Sequence, residues 1–191
     1  ADGILIVAEN ASNTLRKVSE IYDRIAFGGV GKYNEFDQLR IAGIRHADLK
    51  GYSYSREDVD AQSLANQYAQ ILGQTFTHEM KPMEVEILVA EIGDTAADDQ
   101  MFHIRYDGTV NDETDHTVLG GEADVIDERL DQAYSDSMTF EAALTAAVDA
   151  LSGPDRSLAA DDIEVAVLTR GEPRRCFSRI EGDALQSLIS G

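Results

Sequence analysis

LRKVSEIYDRIAFGGVGKYNEF, residues 15–36, packs a cation, an apolar strand, a glycine-rich turn and the first turn of a helix into one stretch. Arg16 and Lys17 stand at the start of an extended segment. Tyr22 to Gly29 predicts a single strand that runs into Gly28-Gly29-Val30-Gly31. Glycines so closely spaced permit close backbone approach or positive φ. A helix is expected from Lys32, with Tyr33, Phe36, Leu39 and Ala42 at helical spacing and Gly43 as its C-terminal stop.

Upstream, Ile4 to Glu9 is short and rich in β-branched residues, which predicts a buried strand. Ala1-Asp2-Gly3 is a turn signal, and a turn joins two strands, so the sequence is expected to lack residues at its N-terminus. Asn10-Ala11-Ser12-Asn13-Thr14 is a polar loop.

Downstream, Tyr52 to Arg56 reads as a polar connection, and Asp60 to Thr77 as a helix with the apolar stripe Leu64, Tyr68, Ile71, Leu72 and Phe76. Lys81-Pro82 breaks it. Val85 to Ile92 is a strand, Gly93 to Gln100 a mobile acidic loop, and Met101 to Val110 a hairpin about Asp107-Gly108. Thr117 to Leu119 is expected as a short strand before Gly120-Gly121. Two helices follow, one carrying Val125, Ile126, Leu130 and Tyr134, the other Phe140, Leu144, Val148 and Leu151 with Thr139 as N-cap. After a polar linker, Ile163 to Leu168 is a strand. Gly171-Glu172-Pro173 turns it into Arg174 to Ile180, and Leu185, Leu188 and Ile189 mark a terminal helix. Strands and helices come in blocks rather than in βαβ alternation, which argues for an α+β architecture in one domain spanning residues 1–191.

Composition narrows the function classes. Thirty-six acidic against 16 basic side chains give a formal net charge of −20, a field that repels nucleic-acid phosphates and anionic membrane surfaces. No nucleic acid and no membrane is expected as partner. The single cysteine, Cys176, excludes an intramolecular disulfide and fits a reducing, cytoplasmic setting.

Candidate chemistry is sparse. His46, His78, His103 and His116 lack metal-ligand spacing, and Asp112, Glu113 and Asp115 lack the pattern of a calcium loop, so no metal is expected. Gly28 to Lys32 sits where phosphate loops sit but departs from their pattern, with Tyr33 after Lys32. No serine lies in a nucleophile elbow. Lys17 is either an ordinary solvated lysine or a fixed cation beside a glycine turn, able to hold a carboxylate as a point charge.

Taken together, DGILIVAEN (2–10), LRKVSEIYDRIAFGGVGKYNEFDQLRIAGI (15–44), GYSYSREDV (51–59), LANQYAQILGQTFT (64–77), KPMEVEILVAEIG (81–93), YDGTVNDE (106–113), LGGEADVI (119–126), IEVAVL (163–168) and PRRCFSRIEGDALQSLI (173–189) resemble the proteasome superfamily, specifically actinobacterial α-type subunits. The resemblance implies a four-layer αββα sandwich of two stacked antiparallel sheets flanked by helices. It implies a non-catalytic subunit without a cofactor. Such subunits form seven-membered rings with neighbouring α subunits, cap rings of β subunits and gate the axial channel. They dock a hexameric AAA ATPase that unfolds protein substrate tagged with a ubiquitin-like protein.

Carried over residue by residue, Lys17 matches the lysine that holds the terminal carboxylate of an activator tail, and Gly31 and Lys32 match the pocket-wall turn. The helix from Lys32 to Gly43 is expected to face the β ring, and His78-Glu79-Met80 to approach the axial constriction. The α family's N-terminal gating helix and tail are not seen ahead of the first strand. The alternative is a catalytic β-type threonine peptidase whose N-terminal nucleophile is missing from the sequence. Against it, Ala8-Glu9-Asn10-Ala11 stands where β-type subunits carry a GDxR-like pattern, and Gly120-Gly121-Glu122 where they carry glycine-serine-glycine.

Overall fold

The computed structural model describes residues 2–12 and 14–189, so Ala1 of the expected turn and Asn13 of the expected loop lie outside the described residues. Two antiparallel sheets lie face to face between two helix layers. The first sheet is built from β1 (Gly3–Glu9), β7 (Ile163–Thr169) and β8 (Phe177–Ile180), in that order. Among the described residues β1 is one of its two edge strands, in register with β7 from Gly3↔Thr169 to Glu9↔Ile163. The second sheet runs β2 (Val18–Tyr22), β3 (Ile25–Gly31), β4 (Val85–Glu91), β5 (Gln100–Ile104) and β6 (Val110–Glu113).

Alternation along the strands makes the layers. Ile4, Ile6, Ala26, Leu88, Ala90, Ala166 and Leu168 meet between the two sheets. Ile25, Phe27, Val85, Ile87 and Val89 point the other way, onto the helices α1 (Tyr33–Ser53) and α2 (Ala61–His78). On the far side Leu5, Val7, Ile163 and Val165 pack against α4 (Phe140–Ser152) and α5 (Gly182–Ile189). A further helix, α3 (Ala123–Ala133), rests on α4. The fold is thus the expected four-layer αββα sandwich, and no helix among the described residues is long and apolar enough to cross a membrane.

Three expectations are corrected. The strand expected over Tyr22 to Gly29 is a hairpin broken at Asp23-Arg24. Arg56 makes the turn: its guanidinium donates to the Asp23 carboxylate at 2.8 and 2.5 Å and covers the Tyr22 ring at 4.5 Å. The hydrogen bond from Arg56 holds the Asp23 carboxyl below its ordinary pKa.

Gly43 does not stop the first helix, which continues to Ser53 and takes in Tyr52 of the expected connection. Gly43 is buried within it. A Cβ there would lie 1.7 Å from the Tyr68 hydroxyl, so the glycine makes room for the largest fully buried side chain. Burial pushes the pKa of that hydroxyl up, and it has no hydrogen-bond partner among the described residues.

Thr117 to Leu119 is not a strand. β6 ends at Glu113, and Gly120, at φ 123°, turns the chain into α3 before any pairing forms.

Elsewhere most of the signals hold. The Asp60 side chain caps α2 by accepting from Ser63 N–H at 2.7 Å, and Leu64, Tyr68 and Leu72 are fully buried along one stripe. Phe76 leaves that stripe and lies half exposed against Tyr106. The acidic loop after β4 contains a short 3₁₀ turn, Ala96–Asp98, and is tied down where Arg170 grips the Asp99 carboxylate at 2.7 and 3.0 Å.

Candidate functional site

Lys17 sits one residue ahead of β2, where its carbonyl accepts the Gly29 N–H at 2.9 Å. The side chain is half buried, and its Nζ donates to the Glu9 carbonyl at 2.7 Å at the end of β1. An ammonium has three donors. Among the described residues Glu9 takes one of them, so the cation is fixed in direction without being neutralised by a carboxylate.

Lys17 lines a cleft of about 1730 Å³ that runs along β1, on the edge left unpaired among the described residues, and past Gly28 to Gly31, Pro82 to Glu84 and Asp115 to Glu122. Gly31 forms one wall. Its φ of 102° belongs to the left-handed region, and a Cβ would stand 2.1 Å from the Glu84 carbonyl oxygen. Only glycine fits both constraints. The next residue seals the turn, Lys32 N–H donating to that same carbonyl at 2.9 Å.

The structure therefore brings Lys17 and Gly31 to one cleft, while Lys32 is not among the lining residues. The Lys32 ammonium lies 3.5 Å from Glu35 in an exposed network that also holds Lys81 and Glu84. Glu84 raises the pKa of Lys81, and Lys81 lowers that of Glu84. Two cations face two carboxylates there, and the turn itself carries little net charge.

His78, Glu79 and Met80 form the exposed end of α2. His78 Nδ1 is 3.2 Å from the Gln74 carbonyl, Glu79 N–H donates to Thr75 O at 3.0 Å, and the Met80 side chain is fully exposed. None of the three lines the cleft. Their link to it runs through the chain, which passes from Met80 into Lys81 and the Glu84 carbonyl.

Two features escaped the sequence. Glu164, on β7 and 5% exposed, directs its carboxylate at the backbone that carries Lys17: Oε1 accepts the Lys17 N–H at 2.7 Å and Oε2 the Val18 N–H at 3.3 Å. A signal was present only as a charge within the apolar run Ile163 to Leu168. The second is a cluster in which His116 Nε2 lies 3.4 and 3.2 Å from Asp127 and Asp131, all donor atoms falling within 4.8 Å of one another. The two aspartates are four residues apart on α3, but the histidine comes from the preceding loop, so spacing does not reveal it. Such a set also forms an ordinary ion pair.

The family model described as "Proteasome subunit" matches residues 1–168. The proteasome subunit alpha of Acidimicrobium ferrooxidans is 63% identical over 187 residues, covering 98% of this chain and 81% of that protein. That of Saccharopolyspora erythraea is 52% identical over 192 residues, with 99% and 75% covered. That of Xylanimonas cellulosilytica is 51% identical over 194 residues, with 96% and 80% covered.

Proposed function

The chain belongs to the proteasome subunit family, and from that premise we propose that it acts as a non-catalytic α-type subunit whose cleft receives the C-terminal tail of an ATPase activator. The relatives' shared name supports the α assignment. The observation that carries the docking reading is Lys17. Its ammonium is held by a backbone carbonyl, on the same cleft as the Gly31 turn, and among the described residues it has donors left for an anion.

A tail carboxylate meeting that ammonium forms a charge-assisted contact of about 1.5–3 kcal/mol. One such contact is weak. Several tails from one hexameric ATPase engaging a ring of seven α subunits multiply the effect through effective concentration. In this reading α rings cap rings of β subunits in the cytoplasm, gate the channel, and admit unfolded protein tagged with a ubiquitin-like protein. The exposed end of α2, His78 to Met80, borders the axial constriction. α1, whose outer side exposes Ile41, turns its first half toward the β ring.

Lys17→Ala tests it in particles assembled with β subunits. Rings should assemble, and stimulation of peptide hydrolysis by the ATPase ring should be lost. Undiminished stimulation in assembled rings would overturn the docking role.

A further inference from the structure

We propose that Glu164 is the positioning residue for Lys17, setting the strand start that carries the ammonium so that its remaining donors meet a peptide carboxylate in the cleft; this rests on the docking reading above. Four donors converge on the Glu164 carboxylate. Lys17 N–H and Asn10 Nδ2 reach Oε1 at 2.7 and 2.5 Å, while Val18 N–H and Arg179 Nη1 reach Oε2 at 3.3 and 3.2 Å. Arg179 Nη2 also donates to the Val18 carbonyl, and Asn10 Nδ2 to the Leu15 carbonyl at 2.6 Å. Side chains from β7 and β8 thus grip the backbone at 17 and 18, which belongs to the opposite sheet.

The ammonium is held from the same template. Ala8 is the register partner of Glu164, so the Glu9 carbonyl that accepts from Lys17 Nζ lies one residue along the same ladder. The two ends of Lys17 are therefore referenced to adjacent points of one β1–β7 pair. A carboxylate ligand is recognised over a hydrogen-bond length of a few tenths of an ångström, so tilt of the strand start costs contact directly. Glu164→Gln replaces one acceptor oxygen with a donor group, and one of the two donor pairs then faces a donor.

The test uses assembled α/β particles and two fluorescent synthetic peptides with the sequence of the ATPase C-terminal tail, one ending in a free carboxylate and one amidated. The readout is the ratio of their Kd values. The parent particle should prefer the carboxylate by about tenfold or more. Glu164→Gln should bring that ratio to within about twofold of unity in rings shown intact by native mass spectrometry. Arg179→Lys, which keeps a cation beside Glu164 but loses the fork to Val18, should lower it by a smaller factor and serves if the first variant does not assemble. In a Lys17→Ala background, Glu164→Gln should change the ratio no further.

If Lys17→Ala abolishes the preference while Glu164→Gln and Arg179→Lys keep it, positioning is wrong and docking stands. If Glu164→Gln weakens both peptides equally, or adds to the loss in Lys17→Ala, its role is structural only. If Lys17→Ala itself keeps the preference, the docking reading fails first.

Discussion

The two helix layers of the sandwich are built to different standards. In the α1/α2 layer, Leu64, Ala65, Tyr68 and Leu72 are fully buried, and a glycine inside one helix admits a tyrosine from the other. In the opposite layer α3 has no buried residue, rests chiefly on α4 and forms part of the wall of a large open cleft. The sealed layer holds the sheets in shape. The open one borders the cleft that Lys17 also lines.

Substitutions break or sharpen that contrast. Leu64→Ala should have the largest effect, a loss of about 2–5 kcal/mol measured by chemical denaturation, since no part of that side chain reaches water. Gly43→Ala comes next. Its methyl would fall on the Tyr68 hydroxyl, and accommodating it should cost about 1–3 kcal/mol. The companion Tyr68→Phe removes the oxygen in the way and the unpaired buried polar atom together, and in the Gly43→Ala background it should restore much of the loss.

Asp60→Asn should cost less, about 0.5–1 kcal/mol near neutral pH, because asparagine also caps helices. Its effect depends on pH. Burial raises the Asp60 pKa, but hydrogen bonds from Lys50 and Ser63 outweigh it and leave the value below that of an ordinary aspartate. Stability from a carboxylate depressed in this way is present above its unfolded value, near about 3.9, and is lost as pH falls through the folded value. The melting curves of parent and variant should therefore converge on acidification below about pH 4. The smallest effect belongs to the open layer, where Val125→Ser on α3 should stay within about 0.5 kcal/mol. A larger loss would mean that α3 is more tightly packed than its exposure shows.

What the sequence revealed follows the same division between local and distant causes. The strands β1, β4 and β7, the helix from Asp60 and the Thr139 cap have local causes, and each was readable. Gly43 was misread because helix periodicity and a glycine stop look alike until a tyrosine from another helix is seen beside it. The Asp23-Arg24 turn lacks glycine, proline and asparagine, and is made by an arginine 33 residues away. Thr117 to Leu119 has the composition of a strand but pairs with none among the described residues. At the candidate site, the family resemblance singled out Lys17 and Gly31, which line one cleft. Glu164 was not, because its bond to Lys17 spans 147 positions.

The pairing of Gly3 with Thr169 also has a temporal side. Synthesis runs from the N-terminus at about 5–20 residues per second, so β1 leaves the ribosome on the order of ten seconds before the strand it must join. The five-stranded sheet, complete by Glu113, can assemble meanwhile from neighbours in sequence. Throughout that wait Ile4, Leu5, Ile6 and Val7 lack the β7 side of their ladder, and that side is exposed to a strand of another copy.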